Sequence, residues 1–269
     1  MKEMTLQEVQ QVSLDVMQNI HDFCIANNVK YSLCGGSLIG TFRHKGFIPW
    51  DDDIDIAMPR ADYERFCKLY QDSDRYKLFC LERSNSYMTF ARVCEMQRTR
   101  VKPYCKCFTE QTGIWVDIFP FDRVDDNHDV YIKKLKSLRR FSTLLFLRRY
   151  ISKPTQEVAG FLDKIKLICY KCLFRFDIIK LLTKYNQKCI NFCDGETYSI
   201  GCVAFLQYFG KEHYSKKMME TTFEAPFEDR HFMVMNGYEE YLHKVYGNYM
   251  EIPPVEKRVQ HSGQTNYWK

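Results

Sequence analysis

Cys34 to Met58, CGGSLIGTFRHKGFIPWDDDIDIAM, places four aspartates within five positions, soon after a double glycine. Carboxylates this close repel one another, and a chain keeps them together either in water or around a cation. The pattern after the run favours the cation. Ile54, Ile56 and Met58 alternate with Asp53, Asp55 and Ala57, which is the period of a strand with one face in the core. On such a strand Asp53 and Asp55 project to the same side. Paired carboxylates on a rigid element suit a hard divalent cation with oxygen ligands, Mg²⁺ or Mn²⁺. An EF-hand is excluded by the lack of a glycine at the sixth loop position.

Upstream, the strand pattern YSLC runs into Gly35-Gly36, and Ser37 is expected to cap a short helix through Phe42. A bare backbone at a helix start lets a phosphate approach its N–H groups. Ser37 adds a hydroxyl. A phosphate-facing turn and a metal-gripping strand together describe a nucleotide phosphate handled with metal. A third carboxylate is then wanted on a neighbouring strand, as metal ligand or base. Asp117 in IWVDIFPFD is the best candidate; Asp122 is second, placed by Pro120 beyond the strand end.

The rest of the chain supplies a frame for these residues. TLQEVQQVSLDVMQNIHDFCIANN is expected to be an amphipathic helix, with Thr5 and Glu8 as a capping box and Val9, Val12, Val16, Ile20 and Phe23 on one stripe. RADYERFCKLY is a second helix, and YKLFCLE, MTFARVCEM and GIWVDIFPFD are further strands. Long helical patterns occupy about 125–192, among them DVYIKKLKSLRRFSTLLFLRRY and, after Pro154, TQEVAGFLDKIKLICYKCLFRFDIIKLLTKY, read as one helix with Ile165, Ile168 and Cys172 on a shared apolar face. A mixed C-terminal segment then contains the short helix GYEEYLHKVYG. The expected fold is α/β, a mixed sheet with helices, divided as a core at 1–124, a helical lobe at 125–193 and a segment at 194–269 that packs back on the core.

The chain has 269 residues, 45% of them hydrophobic, enough for a substantial core. No apolar run reaches the roughly 18 residues of a membrane span, and the polar N-terminus is no signal peptide. Its 12 cysteines follow no disulfide rhythm, which predicts reduced thiols in a cytoplasmic protein. Cys34, Cys67 and Cys80 are expected in the core. Cys169/Cys172, Cys189/Cys193 and Cys105/Cys107 allow zinc only as a minor alternative. The net charge of +5 conceals an asymmetry: residues 131–188 carry 15 Lys or Arg against 3 acids. That lobe is either a solvated helical subdomain or a surface for peripheral contact with an anionic membrane. Nucleic acid is not expected, because no binding motif accompanies the charge.

At this point GGSLIGTFRHKGFIPWDDDIDIAMPRADYERF resembles the signature of the LicD family, phosphocholine-transferase relatives within the nucleotidyltransferase-fold superfamily, with fukutin and fukutin-related protein as more distant members. YLHKVYGNYMEIPPVEKRVQH resembles the family's C-terminal segment. The resemblance implies a nucleotidyltransferase-like core. It implies metal-dependent transfer of a phospho-head group from a CDP-linked donor, commonly CDP-choline, to a hydroxyl of a glycan or glycolipid, with CMP leaving. Gly35, Gly36 and Ser37 match the family's glycine motif, Asp53 and Asp55 its metal pair, and Asp117 its third acid. Arg43 matches a basic position and is expected at a donor phosphate or on the surface. Trp50 is expected to pack, and Glu256, Lys257 and His261 to close over the site. Two other readings remain open: a glycosyltransferase holding a nucleotide-sugar through Asp53 and Asp55, which leaves the glycine motif unexplained, and an inactive binding module of the same fold.

Overall fold

The computed structural model describes all residues except 87, 103–111, 152–159, 174–176 and 259–264, and also leaves out the side chains of 144–151, 173 and 178. Cys105, Cys107 and His261 lie outside the described residues. In chain order the elements are β1 (Lys2–Glu3), α1 (Leu6–Ala26), β2 (Ser32–Leu33), α2 (Gly35–Arg43), β3 (Asp55–Pro59), α3 (Arg60–Leu69), β4 (Tyr76–Phe79), β5 (Ala91–Glu95), β6 (Thr99–Lys102) and β7 (Trp115–Val124). Helices α4 (His128–Ile151), α5 (Phe161–Leu173) and α6 (Ile178–Ile190) follow. The chain continues through β8 (Ser199–Gly201), β9 (Tyr214–Ser215), β10 (Thr222–Phe227), β11 (Arg230–Met235), α7 (Tyr238–Tyr246) and β12 (Thr265–Trp268).

The central sheet runs β2-β3-β7-β5-β4, with β8 and β9 continuing from the far end of β7. It is mixed: β3 and β7 are parallel, and the other pairs are antiparallel. Two smaller sheets flank it, β1-β12-β6 and the hairpin β10-β11. The alternation in β3 buries Ile56 and Met58 completely, while α1 covers the sheet with Val16 and Ile20, both 0% exposed. Thr5 and Glu8 form the expected capping box.

Four expectations are corrected. β3 begins only at Asp55, so Asp51 to Ile54 form the segment that enters it. Helix α2 begins at Gly35 with Cys34 at its N-cap, not Ser37. β7 runs through Pro120 to Val124, and Asp122 lies inside it. The strand tolerates Pro120 there because β5 pairs with residues 115–118 and β8 with 122–124, so the missing N–H breaks neither ladder. The single long helix read after Pro154 is two, α5 and α6. Asp177 caps the second, its carboxylate accepting from the N–H groups of Ile179 and Lys180.

The C-terminal segment returns to the first half of the chain. β12 inserts between β1 and β6. Glu228, at the tip of the β10-β11 hairpin, accepts from the Phe47 N–H at 2.8 Å and donates its own N–H to the Lys45 carbonyl, also at 2.8 Å. These contacts fix the loop that leads into the aspartate run. Among the helices that follow β7, Tyr131, Leu135 and Leu138 of α4 pack with Tyr185 and Cys189 of α6 in a cluster of their own. α5 packs against α4 and buries Leu167, but leaves Phe161 (78%), Leu162 (79%), Ile165 and Ile168 exposed. The face read from Ile165, Ile168 and Cys172 therefore points to solvent, so α5 is not a solvated helix with its apolar side inside.

Candidate active site

The parallel pairing of β3 with β7 sets Asp55 directly opposite Asp117. Both line a cavity of about 480 Å³ at the sheet end where α2 begins. Asp51, Asp52 and Asp53 reach the same cavity from the entering loop, with carboxylate oxygens of all three within 4.8 Å of one another. Asp53 and Asp55 thus line one cavity, close enough for the charge of Asp55 to act on Asp53.

Gly35 and Gly36 face these carboxylates at contact distance. Gly35 has φ +58°, and a Cβ there would stand 2.9 Å from Asp55 Oδ2; a Cβ on Gly36 would stand 2.6 Å from Asp51 Oδ2. A side chain on either glycine would have to push the facing carboxylate aside, and Gly35 also needs the left-handed conformation. Ser37 is buried, and its Oγ accepts from the Asp55 N–H at 2.9 Å. It pins the first residue of β3 to α2 and does not line the cavity.

The electrostatics follow from this crowding. Burial first, then the charges of Asp55, Asp51, Asp52 and Asp117, push the Asp53 carboxyl well above the usual carboxylate range. Asp55 is pushed up by burial and by Asp117 and Asp51, with Arg92 pulling against them. The lining also holds Glu212, so six carboxylates share the cavity wall. Arg92 is the single Lys or Arg among the described lining residues. Oxygen donors, mutual repulsion and a glycine cradle that leaves them open are the chemistry of a hard divalent cation site, and these residues fit one.

Asp117 is held differently. Arg92 grips it with Nε on Oδ1 and Nη2 on Oδ2 at 3.2 Å, and the Trp115 indole N–H donates to Oδ2 at 3.3 Å. The Arg92 guanidinium stacks 4.3 Å from the Trp115 ring. Asp122 is no alternative, since it is 1% exposed and locked to Arg60 by contacts of 2.6 and 2.9 Å.

Arg43 does not line the cavity. Its guanidinium donates to the carbonyls of Tyr249 and Glu251, at 2.7 and 3.0 Å, and ties α2 to the C-terminal segment. Trp50 lines the cavity and carries the Arg258 guanidinium 4.6 Å from its ring. Glu256 and Lys257 are exposed and take no part in the lining.

A family model described as LicD/FKTN/FKRP, nucleotidyltransferase domain, matches residues 28–157, which carry the glycine turn and all five aspartates. The chain is 32% identical over 275 residues to the lipopolysaccharide cholinephosphotransferase LicD of Haemophilus influenzae, covering 99% of each sequence. The chain belongs to the LicD family. It is thereby a homologue of a transferase. Shorter stretches resemble the uncharacterized proteins RT0683 of Rickettsia typhi and RP689 of Rickettsia prowazekii. These are 41% and 43% identical over 51 and 47 residues, about a fifth of this chain or less and 16% and 18% of theirs.

Sequence reasoning missed several residues of this candidate site. Arg92 had a signal: it is a lone charge among Ala91, Val93 and Cys94 in a strand pattern. Tyr241 and Tyr246 lie in the C-terminal segment that resembles the family's, but nothing local marked them as lining, and Tyr208 and Glu212 had no signal, since only tertiary contacts bring all four to the glycine turn. The Gly35 N–H donates to the Tyr241 hydroxyl, 206 residues away, at 3.2 Å. Cys34, Cys67 and Cys80 are buried as expected. Cys169 and Cys172 are exposed, and the described residues group neither them nor Cys189 and Cys193 with a third metal donor.

Proposed function

We propose that the chain transfers phosphocholine from a CDP-linked donor to a hydroxyl of a lipopolysaccharide or similar glycolipid and releases CMP. The observation that carries this is the grouping of Asp51, Asp53 and Asp55 against the bare Gly35-Gly36 turn inside one cavity. The name of the full-length Haemophilus influenzae relative supplies the head group and acceptor class.

Asp53 and Asp55, with Asp51 beside them, would hold Mg²⁺ or Mn²⁺, which when bound supplies positive charge opposite the donor pyrophosphate. Gly35 and Gly36, having no side chains, let Asp55 and Asp51 stand against the helix start, and a donor phosphate would lie beside these carboxylates through the metal. Asp117, its carboxylate fixed by Arg92 and Trp115, orients the acceptor hydroxyl and takes its proton. That oxygen forms a bond to the outer phosphorus, the bridging P–O bond breaks in line, and CMP carries away the electron pair. Ser37 acts through Asp55 as a positioning residue, and Arg43 holds the C-terminal segment.

In the same proposal, residues 1–124 carry the chemistry, 125–193 form a basic lobe and 194–269 complete the cavity wall. The exposed Phe161, Leu162, Ile165 and Ile168 of α5 sit among Lys164, Lys166 and Lys171. Apolar side chains ringed by lysines suit the anionic inner face of a membrane, where a lipid-linked acceptor is found. No helix of the described residues is long and apolar enough to cross a membrane.

Thermal-shift measurements with Mn²⁺ and a panel of CDP-choline, CDP-ribitol, CDP-glycerol and UDP-sugars test the donor. CDP-choline is expected to raise the melting temperature most. A larger shift with a UDP-sugar, accompanied by sugar transfer, would replace this function with a glycosyltransferase.

A further inference from the structure

Of the six carboxylates on the cavity wall, Glu212 is the one outside the aspartate group, and the transfer chemistry leaves it unused. It lies between β8 and β9, is 5% exposed, and lines the cavity with Tyr208, Tyr241 and Tyr246. Among the described residues no side chain or N–H pairs with its carboxylate. Its backbone is fixed, because the Tyr131 hydroxyl of α4 donates to its carbonyl at 2.7 Å. A buried carboxylate without a partner is costly, and a fold retains one where a ligand completes it.

The three tyrosines are equally fixed: Tyr208 and Tyr241 lie close enough to feel the charge of Glu212, and Tyr246 is joined to Tyr208. The hydroxyls of Tyr208 and Tyr246 meet at 2.6 Å, with the rings 5.3 Å apart and inclined at 70°. Tyr241 is anchored by its hydroxyl to the Gly35 N–H. Their hydroxyls are thus engaged with one another or with backbone. Aromatic rings and one buried carboxylate are what recognises a cation that has no N–H to donate. The group adjoins the aspartates: burial, together with the charges of Asp55 and Glu212 and against the Tyr246 hydrogen bond, pushes the Tyr208 hydroxyl up to about 12.

We propose that Glu212, with the rings of Tyr208, Tyr241 and Tyr246, forms the subsite that binds the quaternary ammonium of the transferred head group. Burial raises the Glu212 carboxyl well above the usual carboxylate range, and a fixed positive charge beside it favours the ionised form. The cavity then takes up two cationic groups, a divalent ion at the aspartates and an ammonium at Glu212. This inference rests on phosphocholine transfer as proposed above.

Steady-state transfer with Mg²⁺ tests it, comparing CDP-choline with its uncharged neohexyl isostere, in which carbon replaces the nitrogen. CMP serves as competitive inhibitor. The wild-type protein is expected to show a KM at least about tenfold lower for CDP-choline. Glu212→Gln should remove that preference, leaving CMP inhibition and the KM of the isostere unchanged. Equal wild-type KM values for the two donors overturn the subsite without recourse to any variant. So does a Glu212→Gln protein that keeps the preference, or one that weakens CMP and CDP-choline alike, which would place the nucleotide base at Glu212. If Glu212→Gln does not fold, Tyr246→Leu replaces it, with the same loss of preference expected and its retention counting against the subsite. A wild-type protein that transfers from neither donor overturns the underlying function together with the subsite, whereas the other adverse results leave transfer itself standing.

Discussion

Asp53 and Asp55 hold their protons more tightly in the folded chain than the ordinary aspartate value of 3.8 would allow. The sign of the consequence follows from proton linkage. Where the folded state binds more protons than the unfolded state, raising the pH costs stability. These two carboxyls therefore destabilise the metal-free protein increasingly as pH rises above about 4. Asp55→Asn removes one of them, so in chelator its melting temperature should gain on the wild type between about pH 4 and about pH 8. A gap that stays constant across that range would show that Asp55 does not carry this burden. Gly36→Ala acts from the other side of the cradle. The added methyl meets Asp51 Oδ2, while alanine in a helix is favourable by up to about 1 kcal/mol. The variant should melt no lower than the wild type but lose most of the rise in melting temperature that Mg²⁺ or Mn²⁺ produces. Replacing Arg92 by methionine strands Asp117 without its cation and should cost about 3–5 kcal/mol in urea denaturation. At this scale the sequence shows the aspartates and glycines, because both sit in one local pattern. It does not show that Arg92 holds Asp117 or that Glu212 faces the same cavity, because side-chain pairing across strands and loops leaves no periodic trace. Arg43 illustrates the converse: a basic residue beside the motif is spent on the carbonyls of Tyr249 and Glu251.

Elements with a strong period and local caps are read well. α1 has both, and its capping box is present; Thr5→Ala should cost about 1 kcal/mol in the same denaturation assay. β3 and β7 are recognisable from apolar alternation, but their ends are not. β3 starts two residues later than its pattern suggests, and β7 passes a proline that halts most strands. Register is likewise invisible in the chain, although the pairing of Asp55 with Asp117 depends on it. α5 fails for a different reason. Periodicity says that a helix has an apolar face, not that a neighbour covers it. Its exposed Phe161 and Leu162 give the membrane contact a direct test. The wild-type protein should co-sediment with anionic liposomes at low salt, and Phe161→Ser with Leu162→Ser should weaken this severalfold. Failure of the wild type to bind, or equal binding by the double variant, would remove α5 from the acceptor-side surface.

Across the whole molecule, charge and connectivity separate two tasks. The aspartates lie in the part of the chain that is acidic as a whole, and the basic surplus lies at 131–188, in the helices after β7. The last quarter of the chain returns to close the site, through Tyr241 and Tyr246 of α7 and Asn266 of β12. No composition or period indicates that the second half of the chain supplies one wall of a cavity whose other wall is coded at residues 34–55. The test that reaches furthest is therefore made on the full chain. The purified protein is incubated with CDP-choline, lipopolysaccharide and Mg²⁺, and both the mass of the acceptor and the CMP released are measured. Addition of phosphocholine matched by CMP is expected from the wild type, with none in chelator and none from a folded Asp55→Ala variant. Undiminished transfer by Asp55→Ala, or by the wild type stripped of divalent ions, would contradict a metal-dependent centre at the aspartate cluster.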